Sequence, residues 1–408
     1  MFEVEVEEEK IDNGASIKVI GVGGAGGNTV NSMINSDTQS IEFIVANTDS
    51  QALKLSKATI KIQMGAKLTK GLGSGAHPDI GKRAAEEDLE HILKIVGDAD
   101  IVFLTAGMGG GTGSGALPVI ARALKDRSIL SIAIVTRPFS FEGKYRSRIA
   151  QEAIELLSQE VDTLVVVSNQ KLLETVDKST SMIDAFAMIN NVLYQSVKSI
   201  ADIIINPGHI NVDFADLRTI MKDMGLAVMG TGESSGENRA QEAALEAIAS
   251  PLLENMSIKG ARGVLLNITG GPNLGLHEIH EAASIIQEQA APDANIIIGS
   301  VIDENLNDKV KVTVIATGFY QEEIAKPKAE LFIRATVKDR SAYQPTAQKI
   351  EMSEKIEEKN CAETQQQSAV THKTVIRVEQ QMPSCEILDD LDVPAFMRKE
   401  SEMSDDLS

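Results

Sequence analysis

The stretch 107-GMGGGTGSGA-116 decides how this chain is read. It follows an apolar run, 101-IVFLTA-106, and precedes 117-LPVIARALK-125, whose spacing is helical. Six glycines in nine positions mark a backbone brought close against something, because a residue without Cβ allows an approach that other residues forbid. The loop holds no lysine, arginine or histidine. An anion lodged there must be met by backbone N–H groups and by the positive end of the following helix, with Thr112 and Ser114 as added hydroxyl donors. The lysine and adjoining hydroxyl of a P-loop are missing, so Mg2+ is the inferred source of further positive charge, held through waters and phosphate oxygens rather than by a protein cage.

A second glycine loop, 21-GVGGAGGN-28, ends the apolar run that begins 16-SIKVIGVGG-24. Further β-rich runs are 41-IEFIVANTD-49, 60-IKIQMG-65, 99-ADIVFLTAG-107, 128-SILSIAIVTRP-138 and 161-VDTLVVVSN-169. Helical patterns separate several of them, as in 82-KRAAEEDLEHILKIV-96 and 146-RSRIAQEAIELLSQE-160. Strands alternating with helices predict an α/β fold with a parallel sheet covered on both faces. In such sheets ligands gather at the carboxyl ends of the strands, and the loops there (GVGGAGGN, ANTD, AGMGGGTGSG, TRPFSFEG, SNQK) are each rich in Gly, Asn, Asp or Thr.

A long helix is predicted over 181–205, with apolar residues at Ile183, Phe186, Ile189, Leu193, Val197, Ile200 and Ile204 and a capping pair, Ser181 and Asp184, at its start. A loop then opens into a short helix, 206-NPGHINVDFADLRTIMKDMG-225. Residues 226–320 read as a smaller α+β domain, with helices over 236–255 and 276–290 and strands over 261–271, 294–303 and 309–319. The expected organisation is an acidic leader (1–14), a nucleotide-binding domain (15–180), the central helix and its loop (181–225), the α+β domain (226–320), a linker (321–385), a short peptide (386–400) and a last tail (401–408). Between 351 and 408 there are 14 acidic residues against 6 basic ones and no sustained apolar period, which predicts disorder. Within it, 387-ILDDLDVPAFMRKE-400 regains apolar residues beside Arg398 and Lys399, the composition of a recognition peptide or of a chance cluster in a solvated tail.

The net charge of −20 argues against nucleic acid and against attraction to an anionic membrane. Cys361 and Cys385 stand in the polar tail and make neither a disulfide framework nor a zinc site, which suits a reducing compartment. The start, 1-MFEVEVEEEK-10, has no apolar core of a signal peptide, and no run approaches the roughly 18 residues a membrane span needs. The expectation is a soluble cytoplasmic protein.

Two chemistries fit the first glycine loop. With Asp49 as a ribose-binding acid it matches a dinucleotide fingerprint, the reading of a nicotinamide-dependent oxidoreductase. The second loop favours instead a nucleoside di- or triphosphate, whose anionic end is more crowded. Asp213 and Asp216 stand three apart at a helix start, either as an N-cap with a first-turn acid or as carboxylates that act on water. The pair 277-HEIH-280 lacks the i, i+4 spacing of helical zinc sites, and 86-EEDLE-90 reads as a solvated helix face.

GMGGGTGSG resembles the signature of the tubulin/FtsZ superfamily of filament-forming GTPases, and 211-NVDFADLRTIM-221 resembles the catalytic loop of its FtsZ branch. So do 46-ANTDSQAL-53, 71-GLGSGAHP-78, 136-TRPFSFEGKYR-146, 247-AIASPLL-253 and 392-DVPAFMRK-399. The resemblance covers about 15–320 and the terminal peptide. It implies GTP and GDP as ligands, with Mg2+ and K+ as companion ions. It implies a first phosphate loop of Gly23, Gly24, Gly26, Gly27 and Asn28, and a second of Gly107, Gly109, Gly110, Gly111, Thr112 and Gly113. Asn47 and Thr136 lie on the loops between, Glu142 and Arg146 face ribose and phosphate, and Asn169, Phe186 and Asn190 form the guanine site. Asn190 stands where relatives carry Asp, Ser114 where Thr is usual, His77 where Asn is common, and 168-SNQ-170 where PND is frequent. The resemblance further implies that Asp213 and Asp216 act on the nucleotide of the next copy in a head-to-tail filament, within a division ring at midcell. Leu391, Val393, Pro394, Phe396 and Arg398 would bind membrane-tethering division proteins, reached over a linker whose coil spans about 45 Å. A nucleotide-binding filament protein without useful hydrolysis remains the rival within the same fold.

Overall fold

The computed structural model describes residues 15–35, 41–177, 179–205, 212–250 and 258–319. The leader, the linker, the terminal peptide with Leu391, Val393, Pro394, Phe396 and Arg398, and the last tail lie outside the described residues, as does Asn211. The strands are β1 (Ile17–Val22), β2 (Ile41–Asn47), β3 (Ile60–Gln63), β4 (Ile101–Gly107), β5 (Leu130–Arg137), β6 (Thr163–Ser168), β7 (Gly225–Ser235), β8 (Gly263–Gly270), β9 (Asn295–Ile302) and β10 (Lys309–Thr317). The helices are α1 (Gly23–Ile34), α2 (Ser50–Leu55), α3 (Ala66–Thr69), α4 (Pro78–Glu87), α5 (Leu89–Val96), α6 (Thr112–Asp126), α7 (Lys144–Glu160), α8 (Asn169–Thr175), α9 (Met182–Ile205), α10 (Phe214–Met221), α11 (Arg239–Ile248) and α12 (Leu276–Gln289).

The strands form one sheet in the order β3-β2-β1-β4-β5-β6-β7-β10-β8-β9. The first seven are parallel, while β10 runs antiparallel to both β7 and β8. The order reverses at β1, with β2 on one side and β4 on the other, which creates the crevice where α/β sheets bind ligands.

Side chains alternate across the sheet as the pleat demands. Ile17, Val19 and Phe103 join one core with α1, α9 and α10, while Ile20, Val22, Val102 and Leu104 join another with α4, α5, α6 and α7. Phe103 is fully buried, so truncating it to alanine costs about 3–5 kcal/mol. A third core packs α11 and α12 on β8 and β10.

The predicted helix over 82–96 is two helices. They break at Asp88, whose carboxylate accepts the N–H of Gly65 at 2.6 Å. The predicted helix over 236–255 is described only as Arg239–Ile248. β7 is not among the strands expected from the sequence, and it carries Gly230 and Gly232. Those glycines answer to packing: a Cβ on Gly230 would stand 2.0 Å from the carbonyl of Ala247, and one on Gly232 would stand 2.2 Å from that of Ala243. β7 joins the two halves of the sheet, pairing with β6 through Gly225–Ala227 and with β10 from Val228 onward. Ser181 and Asp184 cap α9 as expected, with the Ser181 hydroxyl accepting the N–H of Asp184 at 3.1 Å.

Candidate functional site

The two glycine loops meet at the switch point of the sheet. Helix α1 starts inside the first of them, at Gly23, whose φ of +74° only glycine adopts readily. A Cβ on Gly23 would stand 3.2 Å from the N of Gly113, so the first turns of α1 and α6 abut. Neither helix has a side-chain cap at its N-terminus. Backbone N–H groups and two positive helix ends therefore converge on one place, which is what an anion requires. The second loop is held in shape by Gly109 N–H donating to Ser114 Oγ at 2.9 Å and Met108 N–H donating to the carbonyl of Thr136 at 2.9 Å. Gly109 has φ +95°, and a Cβ there would stand 2.8 Å from the carbonyl of Arg146.

These elements bound a cleft of about 340 Å3. Of the predicted residues, Gly23, Gly24, Gly107, Gly110, Gly111, Thr112, Gly113, Thr136, Glu142, Arg146, Asn169 and Phe186 line it. Arg146 is the cation of the wall, and its guanidinium donates to Glu142 at 2.5 Å. The other oxygen of Glu142 accepts the N–H of Phe139 at 2.9 Å. At the far end, Phe186 packs edge-on against Phe139 with ring centroids 5.7 Å apart, and remains exposed. Asn169 opens α8, and its Oδ1 is buried without a hydrogen-bond partner, an acceptor left for a ligand donor.

The other predicted residues do not line the cleft. Gly26 lets α1 press on the sheet, since a Cβ there would stand 2.4 Å from the carbonyl of Thr105. Gly27 lies close over Val45, and Asn28 is exposed on α1. Gly109 shapes the loop from behind. Asn47 is buried, with its side-chain oxygen accepting the N–H of Asp49 at 3.2 Å. Asn190 accepts from the Thr29 hydroxyl at 3.2 Å, tying α9 to α1. Asp49 caps α2 by accepting from Gln51 and Ala52, so a ribose contact would have to displace those bonds.

Val22, Ala25, Ser74, Met108 and Pro138 also line the cleft and were not singled out from sequence. Ser74 belongs to a buried chain of hydroxyls, with Thr48 Oγ1 at 2.7 Å and Ser74 Oγ at 3.0 Å from Thr112 Oγ1. Its place in 71-GLGSGAHP-78 was a signal available in the sequence. A larger cavity, about 540 Å3, lies between α4, α6 and α7. Its wall carries the carboxylates Asp79, Glu86, Asp126 and Glu160 beside Lys82 and Arg122.

Asp213 and Asp216 are exposed and lie elsewhere. Asp213 is the N-cap of α10, its Oδ1 accepting the N–H of Asp216 at 2.7 Å. Arg218 of α10 donates to the carbonyl of Ser128, which precedes β5, whereas the cleft lies past the carboxyl ends of β1, β4 and β5. The eight residues of β5 span about 26 Å. Helix α9, with 24 residues and a length of about 36 Å, carries Phe186 of the cleft near its start and runs away from it to Ile205. The acid pair and the cleft thus sit at opposite ends of the sheet.

Residues 16–177 match the family model described as Tubulin/FtsZ family, GTPase domain, and residues 225–320 match FtsZ family, C-terminal domain. The cell division protein FtsZ of Magnetospirillum gryphiswaldense is 54% identical over 312 residues, which are 76% of this chain and 56% of that protein. This chain therefore spans little more than half the length of that relative. The solved FtsZ dimer from M. jannaschii is 44% identical with a TM-score of 0.71, over 74% of this chain and 88% of that one. CetZ1 from Haloferax volcanii, solved as a GDP-bound monomer, shares the fold at 24% identity and a TM-score of 0.66, over 75% of this chain and 95% of that one.

Proposed function

This chain belongs to the FtsZ family, within the tubulin/FtsZ group whose GTPase domain it carries, and on that footing we propose that it hydrolyses GTP at a site completed by a second copy of itself. The cleft binds GTP and GDP. The glycine loops and the first turns of α1 and α6 take the phosphates, Arg146 adds charge, and Glu142 faces the ribose. Asn169 pairs with the guanine edge, Phe186 stacks on the base, and Asn190 stands behind them. Asp213 and Asp216 of the neighbouring copy polarise and orient the attacking water.

The observation that carries this reading is the separation of the acid pair from the cleft by the length of the sheet. One chain cannot bring both to one substrate, whereas head-to-tail stacking can. Such a heterologous contact does not close and yields open filaments. Loss of the γ-phosphate weakens the contact that formed the site, so filaments turn over. The filaments form a division ring in the cytoplasm at the division site, and residues 386–400 bind its membrane tethers. No described helix is long and apolar enough to cross a membrane. Among the described residues no three His, Cys, Asp or Glu side chains gather as a metal site would need. Mg2+, with K+ as a further companion, would be held beside the glycine loops through phosphate oxygens and water and would supply charge neutralisation there.

The rival reading, a filament protein that binds GTP without useful hydrolysis, draws on one observation: the Asp213 carboxylate is already engaged as a helix cap. The first experiment is GTP turnover per molecule on dilution. Specific activity that vanishes below a threshold concentration is expected. Activity per molecule that stays constant at high dilution would mean that one chain holds a complete site, and the shared-site reading would fall.

A further inference from the structure

Helix α10 has two turns, and they are held very differently. Its C-terminal turn is pinned from three sides. The Thr163 hydroxyl donates to the carbonyl of Met221 at 2.5 Å, and the Thr317 hydroxyl donates to the carbonyl of Ile220 at 2.9 Å. Just beyond, Gly225 N–H donates to the carbonyl of Asp162 at 2.9 Å. The buried residues of α10, Leu217, Ile220 and Met221, also lie toward this end. The N-terminal turn carries the two exposed acids and is anchored by Val212 and Phe214 packing on the core rather than by side-chain hydrogen bonds from other elements.

Beside α10, between it and the end of α6, lies a cavity of about 210 Å3, with Lys125, Ser128, Asp162, Arg218, Lys222 and Asp223 in its wall. Leu217, Ile220 and Met221 bury the opposite face of α10 in the core, while Ile129 and Leu130 close only part of this cavity wall. The half-buried Arg218 side chain reaches across, its Nη2 donating to the carbonyl of Ser128 at 3.0 Å. Arg218 follows Asp216 by two residues, about 200° around the helix, so holding Arg218 against the body turns Asp216 outward. The acceptor is itself rigid. Ser128 has φ +59°, and its N–H donates to the carbonyl of Lys125 at 2.9 Å, while Ile129 N–H donates to that of Leu124 at 3.2 Å.

We propose that Arg218 is a positioning residue for the Asp213–Asp216 pair: its bond to the Ser128 carbonyl completes the orientation that the buried face of α10 begins, and so fixes the direction in which the acids are presented to the neighbouring copy. This rests on the reading of that pair as the catalytic acids. Arg218 touches no nucleotide and acts only through the helix. Catalytic groups need placement within about 0.5 Å and 10–20°, and a misplacement of about 1 Å costs about a hundredfold in rate. Loss of the tie therefore lowers turnover by about ten- to a hundredfold while leaving the cleft and the rest of α10 as they were.

The test uses the full chain with four substitutions: Arg218→Ala, Arg218→Lys, Lys125→Ala and Asp216→Ala. GTP turnover per assembled molecule, GTP affinity, the threshold concentration and the unfolding temperature are measured for each. Lys125→Ala removes a 3.3 Å ion pair with Asp223 across the same cavity and serves as the control for general loosening. The proposal expects Arg218→Ala to lose turnover with affinity, threshold and unfolding temperature unchanged. Arg218→Lys, with one donor able to reach the carbonyl, recovers part of it, and Lys125→Ala turns over normally. Normal turnover in Arg218→Ala, with Asp216→Ala inactive, overturns the positioning role alone. An equal loss in Lys125→Ala, or no recovery with lysine, overturns it as well, since the effect would then be loosening of the whole edge. Normal turnover in Asp216→Ala overturns the reading beneath it.

Discussion

Asp213 is where two explanations of the acid pair part, and Asp213→Asn separates them. Its Oδ1 accepts the Asp216 N–H at 2.7 Å, and the residue is exposed. Alanine removes this cap, at a cost of about 1 kcal/mol. For a folded region of this size that lowers the unfolding temperature by about 1.5–2 °C. Asparagine keeps the acceptor and loses only the charge at the helix start, about 0.3–1 kcal/mol. The catalytic reading sets a different scale. A carboxylate that activates water contributes about a hundred- to ten-thousandfold, or about 3–5 kcal/mol of barrier. Asp213→Asn should therefore unfold close to the parent temperature yet lose at least about a hundredfold in turnover. Phosphate release per assembled molecule, read beside thermal unfolding, measures both. Turnover within about threefold of the parent in Asp213→Asn, with alanine affecting only the unfolding temperature, would refute the reasoning and leave Asp213 as a helix cap.

Three further substitutions test other parts of the account. Asn169→Ala removes a buried, unpaired acceptor, so thermal stability should hold or rise slightly while GTP affinity falls about tenfold and discrimination against ATP weakens, as read by displacement of a fluorescent nucleotide. Gly115→Ala would place a Cβ 1.9 Å from the carbonyl of Pro78 and 2.7 Å from the N of Lys82, and backbone cannot swing aside. It should cost about 1–3 kcal/mol or more and several degrees of unfolding temperature, and an unchanged value would refute the α4–α6 packing. Burial holds the Asp202 carboxyl up at about 6, against the opposing pull of Lys198 on its own helix and Lys311 on β10, with Asp303 adding to the rise. Its contribution to stability is full below the unfolded value of 3.8 and lost as pH rises through about 6. Relative to Asp202→Asn, the parent should lose up to about 3 kcal/mol between pH 4 and pH 7 in denaturant unfolding, and a flat difference would refute this.

Much of the fold was legible from the sequence because local pattern and global fold agree. The apolar runs that end in glycine became β1 and β4, and the alternation of strands with helices became the parallel half of the sheet. Where a distant contact governs a residue, the pattern misled. Asp88 breaks a helix because Gly65 claims its carboxylate, and 230-GTG-232 is strand because α11 lies against it. The same division runs through the site. The glycines on the cleft wall were recognisable by their clustering, but Ser74, a single serine in a loop, gains its place only through Thr112, 38 residues on.

By itself the sequence determined the kind of ligand: two uncharged glycine loops opening helices can hold an anion only through amides and dipoles, a local property of backbone without Cβ. It also carried the acid pair, but left its role divided between cap and catalyst. Tertiary structure alone decided distance. The length of β5 and α9 sets Asp213 and Asp216 at the far end of the sheet from the cleft, because strands and helices are rigid rods whose rise per residue turns sequence separation into ångströms.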